Sequence, residues 1–274
     1  MSKYTVFGGG GFIGSEFVKT LKLLNHDVYV PDRNALDVFE RDLGIIIYCA
    51  GYGDCIRDPF NVLQANTILL SELLKKAKFD KLIYLSSTRV YMNSECSMVG
   101  NNLTIEFNDN RKLFNLTKLA AEELCAKSNR NCLIIRPSNV FGAALKSDLF
   151  LPSITRNAIL NNVVDMYVDK LYAKDYIFVS DLVRATLDIL NVNNSNFKIV
   201  NVASGENTTA KDIADVLVRH IGCKVIWHEN IATNETFPIT DVSYMNDCIS
   251  FKPLNVLDVL ESMIEEFKGQ LNDK

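Results

Sequence analysis

The sequence predicts an α/β protein, a doubly wound parallel sheet carrying a small C-terminal lobe, and three observations predict it. Short apolar runs rich in Val, Ile and Tyr alternate with longer stretches of helical period, as strands do when helices cover both faces of their sheet. Four consecutive glycines, Gly8 to Gly11, stand between the first strand-like run and the first helical stretch. An acid, Asp32, closes the second run, 18 residues after Gly14.

In chain order, the first strand covers residues 5–7, and the glycine turn delivers the chain into an amphipathic helix over 12–24. The second strand covers 28–30. The next strand and helix are trimmed or missing, because only about a dozen residues separate Asp32 from Ile45, barely the length of one parallel crossover. Strands follow at 45–49, 82–85 and 133–136, with helices over 61–77 and 111–127. Beyond Gly142 the alternation weakens, and residues 148–174 mix polar and apolar side chains without a clear period. A helix over 181–190, a strand over 198–202 and a helix over 210–221 restore it. The expected organisation is a first domain over 1–147 that also uses about 175–202, interleaved with a lobe over 148–274. No linker or repeat separates them, so one compact body is expected.

Composition removes several function classes. The 274 residues carry 29 basic and 33 acidic side chains, a net charge of −4, which supplies no basic field for a polyanion, and no nucleic-acid partner is expected. No apolar run reaches the roughly 18 residues of a membrane span, and the chain passes from Lys3 straight into a strand. A cytoplasmic protein with no membrane partner and no signal peptide is expected. Cys49, Cys55, Cys96, Cys125, Cys132, Cys223 and Cys248 are scattered and odd in number, the pattern of reduced thiols rather than disulfides. His26, His220 and His228 lie far apart, so no metal site is expected.

The glycine turn, with a strand before it and a helix after it, has the context of a dinucleotide-binding loop. Gly8 permits the tight turn, Gly11 lets the backbone approach phosphate, and Gly14 lets the helix lie close to the strand. The amides that open the helix, around Phe12 and Ile13, face an anion with the helix dipole behind them. At Asp32 a carboxylate accepts from the adenosine ribose hydroxyls and repels a 2′-phosphate, which argues for NAD. Arg33 beside it would clasp that phosphate, so NADP stays open. The bland alternative is a glycine loop that merely turns the chain.

Further motifs carry a resemblance. Gly8 to Gly14 looks like a GGxGFIG turn, and Tyr48-Cys49-Ala50-Gly51 looks like a small-residue strand end that passes under a cofactor. Asp58-Pro59 is followed by Asn66, and Leu85-Ser86-Ser87-Thr88-Arg89-Val90-Tyr91 is similar to an SS-x-x-VYG segment with Met92 in place of its glycine. Arg136-Pro137-Ser138-Asn139-Val140-Phe141-Gly142 is similar to RPxNVYG, Lys174 to Val179 to RDFIHV, and Asn201 to Gly205 to NVGTG. In that order they resemble the extended short-chain dehydrogenase/reductase family, in particular its nucleotide-sugar epimerases, dehydratases and 4-keto reductases. The resemblance covers nearly the whole chain and implies a Rossmann-type fold, an NAD(P) cofactor, a nucleotide-diphosphate sugar as substrate and a homodimer paired through the 111–127 helix. It implies cofactor contacts at Gly8, Gly11, Phe12, Ile13, Gly14, Asp32, Arg33, Ala50, Gly51, Asn66, Ser86, Lys118 and Pro137, and substrate contacts at Ser87, Tyr91 and Asn139.

The family's chemistry couples hydride transfer at a sugar carbon to proton transfer at the attached oxygen. It implies Ser87 as the hydroxyl on that oxygen and Lys118, in Thr117-Lys118-Leu119-Ala120-Ala121-Glu122, as the lysine that lowers a tyrosine pKa one helical turn away. The third catalytic position, four residues before Lys118, is Phe114, which keeps the ring and lacks the titratable hydroxyl. Three explanations compete: a native tyrosine replaced to hold substrate unreacted; a natural enzyme that moves the proton with Tyr91, Tyr52 or Asp54; or a cofactor-binding sensor or scaffold without catalysis. A second departure is the missing arginine before Pro238-Ile239-Thr240 that would meet a diphosphate. Arg156 or Lys146 supplies the charge, or the substrate is a carbonyl compound without a nucleotide.

Overall fold

Alternating side chains of one parallel sheet feed two apolar layers, and helices close each layer. The computed structural model describes residues 1–147, 149–192, 195–228 and 235–272; the boundary expected at Asp148 lies outside them. The sheet runs in the order β2 (Asp27–Tyr29), β1 (Lys3–Phe7), β3 (Ile45–Tyr48), β4 (Lys81–Leu85), β5 (Cys132–Pro137) and β9 (Phe197–Val202). Every pairing in it is parallel. Ile47, Ile83, Leu133 and Ile135 face the layer shared with helices α1 (Phe12–Leu23) and α6 (Val179–Val192). Ile46, Tyr48, Leu82, Tyr84 and Ile134 face the layer shared with α3 (Leu69–Lys76) and α4 (Lys112–Lys127). Strands β4 and β5 are buried along their whole length, which explains why they read as unbroken apolar runs.

Two expectations need correcting, and the shortened stretch after β2 is as expected. Strand β2 ends at Tyr29, so Asp32 lies three residues beyond the strand it was expected to close. A single 3-10 turn, Asp37–Phe39, is the regular structure between β2 and β3. The helix expected over 61–77 divides into α2 (Pro59–Leu63), a π turn (Gln64–Ile68) and α3. Asp58 caps its start by accepting from the Asn61 amide at 3.1 Å, with Pro59 at the first helical position, where its missing N–H costs nothing. The extra residue per turn in the π segment rotates the helix face, and Asn66 within it is fully buried.

Residues 175–202 divide between two bodies. Helix α6 and β9 belong to the main sheet, while β8 (Ala173–Phe178) pairs with β6 (Asn139–Phe141) and β10 (Asn207–Thr209) in a separate three-stranded sheet. A parallel pair, β7 (Val163–Met166) with β11 (Lys224–Trp227), stands beside it. Helices α5 (Phe150–Asn161), α7 (Ala210–Ile221) and α9 (Val256–Asn272) enclose a second core around Leu151, Ile154, Leu217, Leu260 and Phe267. A short helix, α8 (Ser243–Cys248), sends Met245 back into the first core. Strand β8 serves both cores: Ile177 enters the first and Tyr176 the second. Among the described residues no helix is long and apolar enough to cross a membrane.

Candidate active site

The chain leaves β1 to one side for β2 and returns on the other side as β3, and such a reversal opens a crevice at the strand C-termini. A cleft of about 530 Å³ lies there, lined by Phe12, Ile13, Gly51, Ser87, Lys118 and Pro137 among others. Two glycines pack the turn before α1 against the sheet. Gly8 has a φ of +75°, and a Cβ on it would stand 2.8 Å from the Ala50 nitrogen, so the turn can lie directly on the end of β3. A Cβ on Gly14 would come within 2.1 Å of the Gly8 carbonyl oxygen. The Gly11 amide closes the turn on that same oxygen at 2.9 Å, and the amides of the first turn of α1, from Phe12 on, leave the helix end without intrahelical acceptors. A wider open groove of about 690 Å³ continues past Gly10, Gly11, Ser15 and Lys146.

Lys118 projects from α4 beneath the cleft, 4% exposed, and donates to the Leu85 carbonyl at 2.7 Å. Its nitrogen sits over the rings of Tyr84 and Phe114, 4.8 and 5.6 Å from their centroids. Burial lowers this ammonium to about 8, against the smaller opposing pull of Cys49 and Glu122. A Cβ on Gly51 would approach its nitrogen to 3.0 Å, so glycine at 51 keeps that nitrogen accessible from the end of β3. Ser87 lines the same cleft and its Oγ accepts from the Arg89 amide at 3.1 Å, opening the 3-10 turn Thr88–Tyr91. Phe114 is also in the lining, one helical turn before Lys118. Asn139 lines the cleft and gives its amide to the Asp175 carbonyl at 2.8 Å.

Other candidates are engaged elsewhere. Tyr91 is 1% exposed, donates to Asn201 at 2.8 Å and accepts from Arg136 at 2.6 Å, so its hydroxyl is engaged inside the protein. Its partner Arg136 also donates to Glu122, which accepts in turn from Ser86. The Ser86 hydroxyl is therefore spent inside the protein although the residue borders the cleft. Asn66 grips the Tyr52 backbone from both sides at 3.0 Å and reaches Thr117 at the same distance, and so shapes the 50–53 loop. Arg156 binds the carbonyls of Leu145 and Ser147 at 2.7 and 2.9 Å, outside the cleft lining. Lys146 belongs to the wider groove. Asp54 accepts from the amides of Ile56 and Arg57 at 3.2 and 2.9 Å. Asp32 is exposed, and Arg33 beside it donates to Asn61 at 2.8 Å.

The far wall of the cleft holds residues whose roles were not read from the sequence: Arg89, Arg111, Tyr172 and Lys174, with Glu235 bonded behind them. The Lys174 ammonium, 3.8 Å from Glu235 and stacked 4.8 Å from both the Tyr172 and Phe237 ring centroids, is lowered to about 8 chiefly by burial. Burial alone would raise the Glu235 carboxyl, but Arg89, the Tyr172 hydroxyl and Lys174 bring it down to about 2. Lys174 had a signal, since it stands where the RDFIHV-like segment has arginine. Glu235 had none.

Comparison with known proteins agrees with this architecture. The family model described as "NAD dependent epimerase/dehydratase family" matches residues 4–203. A protein of Methanocaldococcus jannaschii named as a putative UDP-glucose 4-epimerase is 28% identical over 258 residues, covering 79% of this chain and 82% of its own. A dTDP-4-dehydro-6-deoxy-D-allose reductase of a Streptomyces species is 22% identical over 304 residues, covering 90% of each chain. The solved structure of MoeE5 in complex with UDP-glucose and NAD superposes with a TM-score of 0.84 at 19% identity, covering 98% of this chain and 99% of that one.

Proposed function

The chain belongs to the NAD dependent epimerase/dehydratase family, and on that premise we propose that it exchanges a hydride between NAD and a hexose carbon of a nucleoside diphosphate sugar. The observation that carries this reading is the meeting of Phe12 and Ile13, where α1 opens behind the glycine turn, with Lys118 and Ser87 around one cleft. The close approaches at Gly8 and Gly14 and the outward amides of α1 fit a pyrophosphate. Phe12, Ile13, Ala50 and Pro137 wall the cofactor, and Lys118 donates to its nicotinamide ribose. Asp32 accepts from the adenosine ribose, and Arg33, held by Asn61, is drawn away from a 2′-phosphate; both favour NAD over NADP. When bound, NAD supplies the hydride acceptor and, once reduced, the donor.

On the substrate side, Ser87 donates to the sugar oxygen and Asn139 borders the sugar. Lys174, a desolvated cation facing the cleft, receives the diphosphate and replaces the arginine missing before Pro238. That cation favours a nucleotide-linked sugar over a free carbonyl compound. Two copies pair through α4 in this reading.

Phe114 cannot carry a proton, so the proton step lacks its usual group, while NAD binding is kept. Tyr52 is the one of the three alternative proton carriers that lines the cleft with no side-chain hydrogen bond among the described residues. A second reading, an NAD-binding protein without turnover, is favoured by Phe114 alone. The two readings part on one experiment. Turnover of the Phe114→Tyr protein on UDP-, dTDP- and GDP-hexoses, measured beside the unaltered chain, should rise by about 10²–10⁴-fold, with NAD affinity by calorimetry nearly unchanged. No turnover by either protein on any sugar overturns the enzyme reading.

A further inference from the structure

Three cations meet two carboxylates on the wall of the cleft that faces Phe114, and both carboxylates are already engaged. Arg89, 7% exposed, gives Nη2 to Asp109 at 2.7 Å and to Glu235 at 2.8 Å. The second Glu235 oxygen accepts from the Tyr172 hydroxyl at 2.9 Å and lies 3.8 Å from Lys174. The second Asp109 oxygen accepts from the Asn115 amide at 3.2 Å, and the first also takes the Arg111 backbone N–H at 2.8 Å. No described carboxylate lies within ion-pair distance of the Arg111 guanidinium. That group lies over the Phe114 ring instead, 4.7 Å from its centroid, and 3.3 Å from where a Cβ on Gly53 would be. The cluster therefore carries one more positive than negative charge.

Resting on the nucleotide-sugar reading, in which Lys174 meets the diphosphate, we propose that Arg111 receives a carboxylate on the hexose, so that the cleft selects a nucleoside diphosphate hexuronate over the neutral hexose. Phe114 stands where the acid/base of the sugar oxygen is expected, and Arg111 is one ring thickness away from it. A C6 carboxylate hangs two bonds from C4, close enough to that oxygen to meet a guanidinium stacked on the ring. The planar fork of arginine matches a carboxylate through two parallel N–H bonds. A neutral CH2OH in the same place offers that fork an uncharged acceptor, a weaker partner than a carboxylate.

Calorimetric titration of the NAD-loaded full chain with UDP-glucose, UDP-glucuronic acid and UDP tests this. The acid should bind about tenfold or more tightly than UDP-glucose, the gain of one charge-assisted pair. Arg111 is exposed, so Arg111→Met should fold, and in it the two affinities should converge; Arg111→Lys should keep part of the preference. Equal affinities in the unaltered chain, or a preference that survives in Arg111→Met, overturn the carboxylate site and leave the nucleotide-sugar reading standing. Failure of all three ligands to bind overturns that reading and this site with it.

Discussion

Lys118 is a buried ammonium with one carbonyl partner among the described residues, an arrangement that disfavours the charged form. Its value of about 8 lies below the ordinary lysine value of 10.5. Between those two pH values the unfolded chain binds more protons than the folded one, so this group makes stability rise with pH through that window. Denaturant unfolding of the ligand-free protein at pH 8 and at pH 10 should therefore show a gain that Lys118→Met lacks, on the order of tenfold to a hundredfold in the unfolding constant. Equal pH responses in the two proteins would contradict the buried charge. That Lys118, Ser87 and Phe114 border one cleft was legible, because helix spacing and a strand end fix where such side chains point. The side-chain bonds of Tyr91, Ser86, Asn66 and Arg156 to Asn201, Glu122, Tyr52 and Leu145 were not legible, because those partners are distant in sequence and no local pattern announces them.

Helix α4 has a buried side and an exposed one, and both matter. Asn115, Thr117, Lys118, Ala121, Glu122 and Cys125 face inward, while Leu116 and Leu124, 45% and 38% exposed, line up with Ala120 on the outer stripe. Phe60, Leu63 and Ile68 on the neighbouring α2 and π turn are exposed as well. An apolar stripe of this kind fits burial against a second copy across a two-fold axis. Light scattering should give a dimer mass for the unaltered chain and a monomer mass for Leu116→Glu with Leu124→Glu. A monomer before any substitution would remove the pairing. At this scale the glycine turn, α4 and the main strands were legible, because their period or chemistry is local. The π turn was not, since one extra residue in a helix leaves the apolar pattern nearly intact. Strands β7 and β11 escaped too: each is four residues long, and they pair across about sixty residues of chain.

For the whole molecule, the alternation of strands and helices foretold the parallel sheet, but the second body was visible only as a loss of rhythm. Its three-stranded sheet draws β6, β8 and β10 from well-separated stretches of sequence, and mixed short pairings of that kind carry little periodicity. The sharing of β8 has a thermal consequence. Since one face of a single strand completes each hydrophobic interior, neither interior can melt while the other stays intact. Scanning calorimetry should record one endotherm whose van't Hoff and calorimetric enthalpies agree, and two resolved peaks would mean that the seam between the bodies is weaker than its interleaved side chains imply.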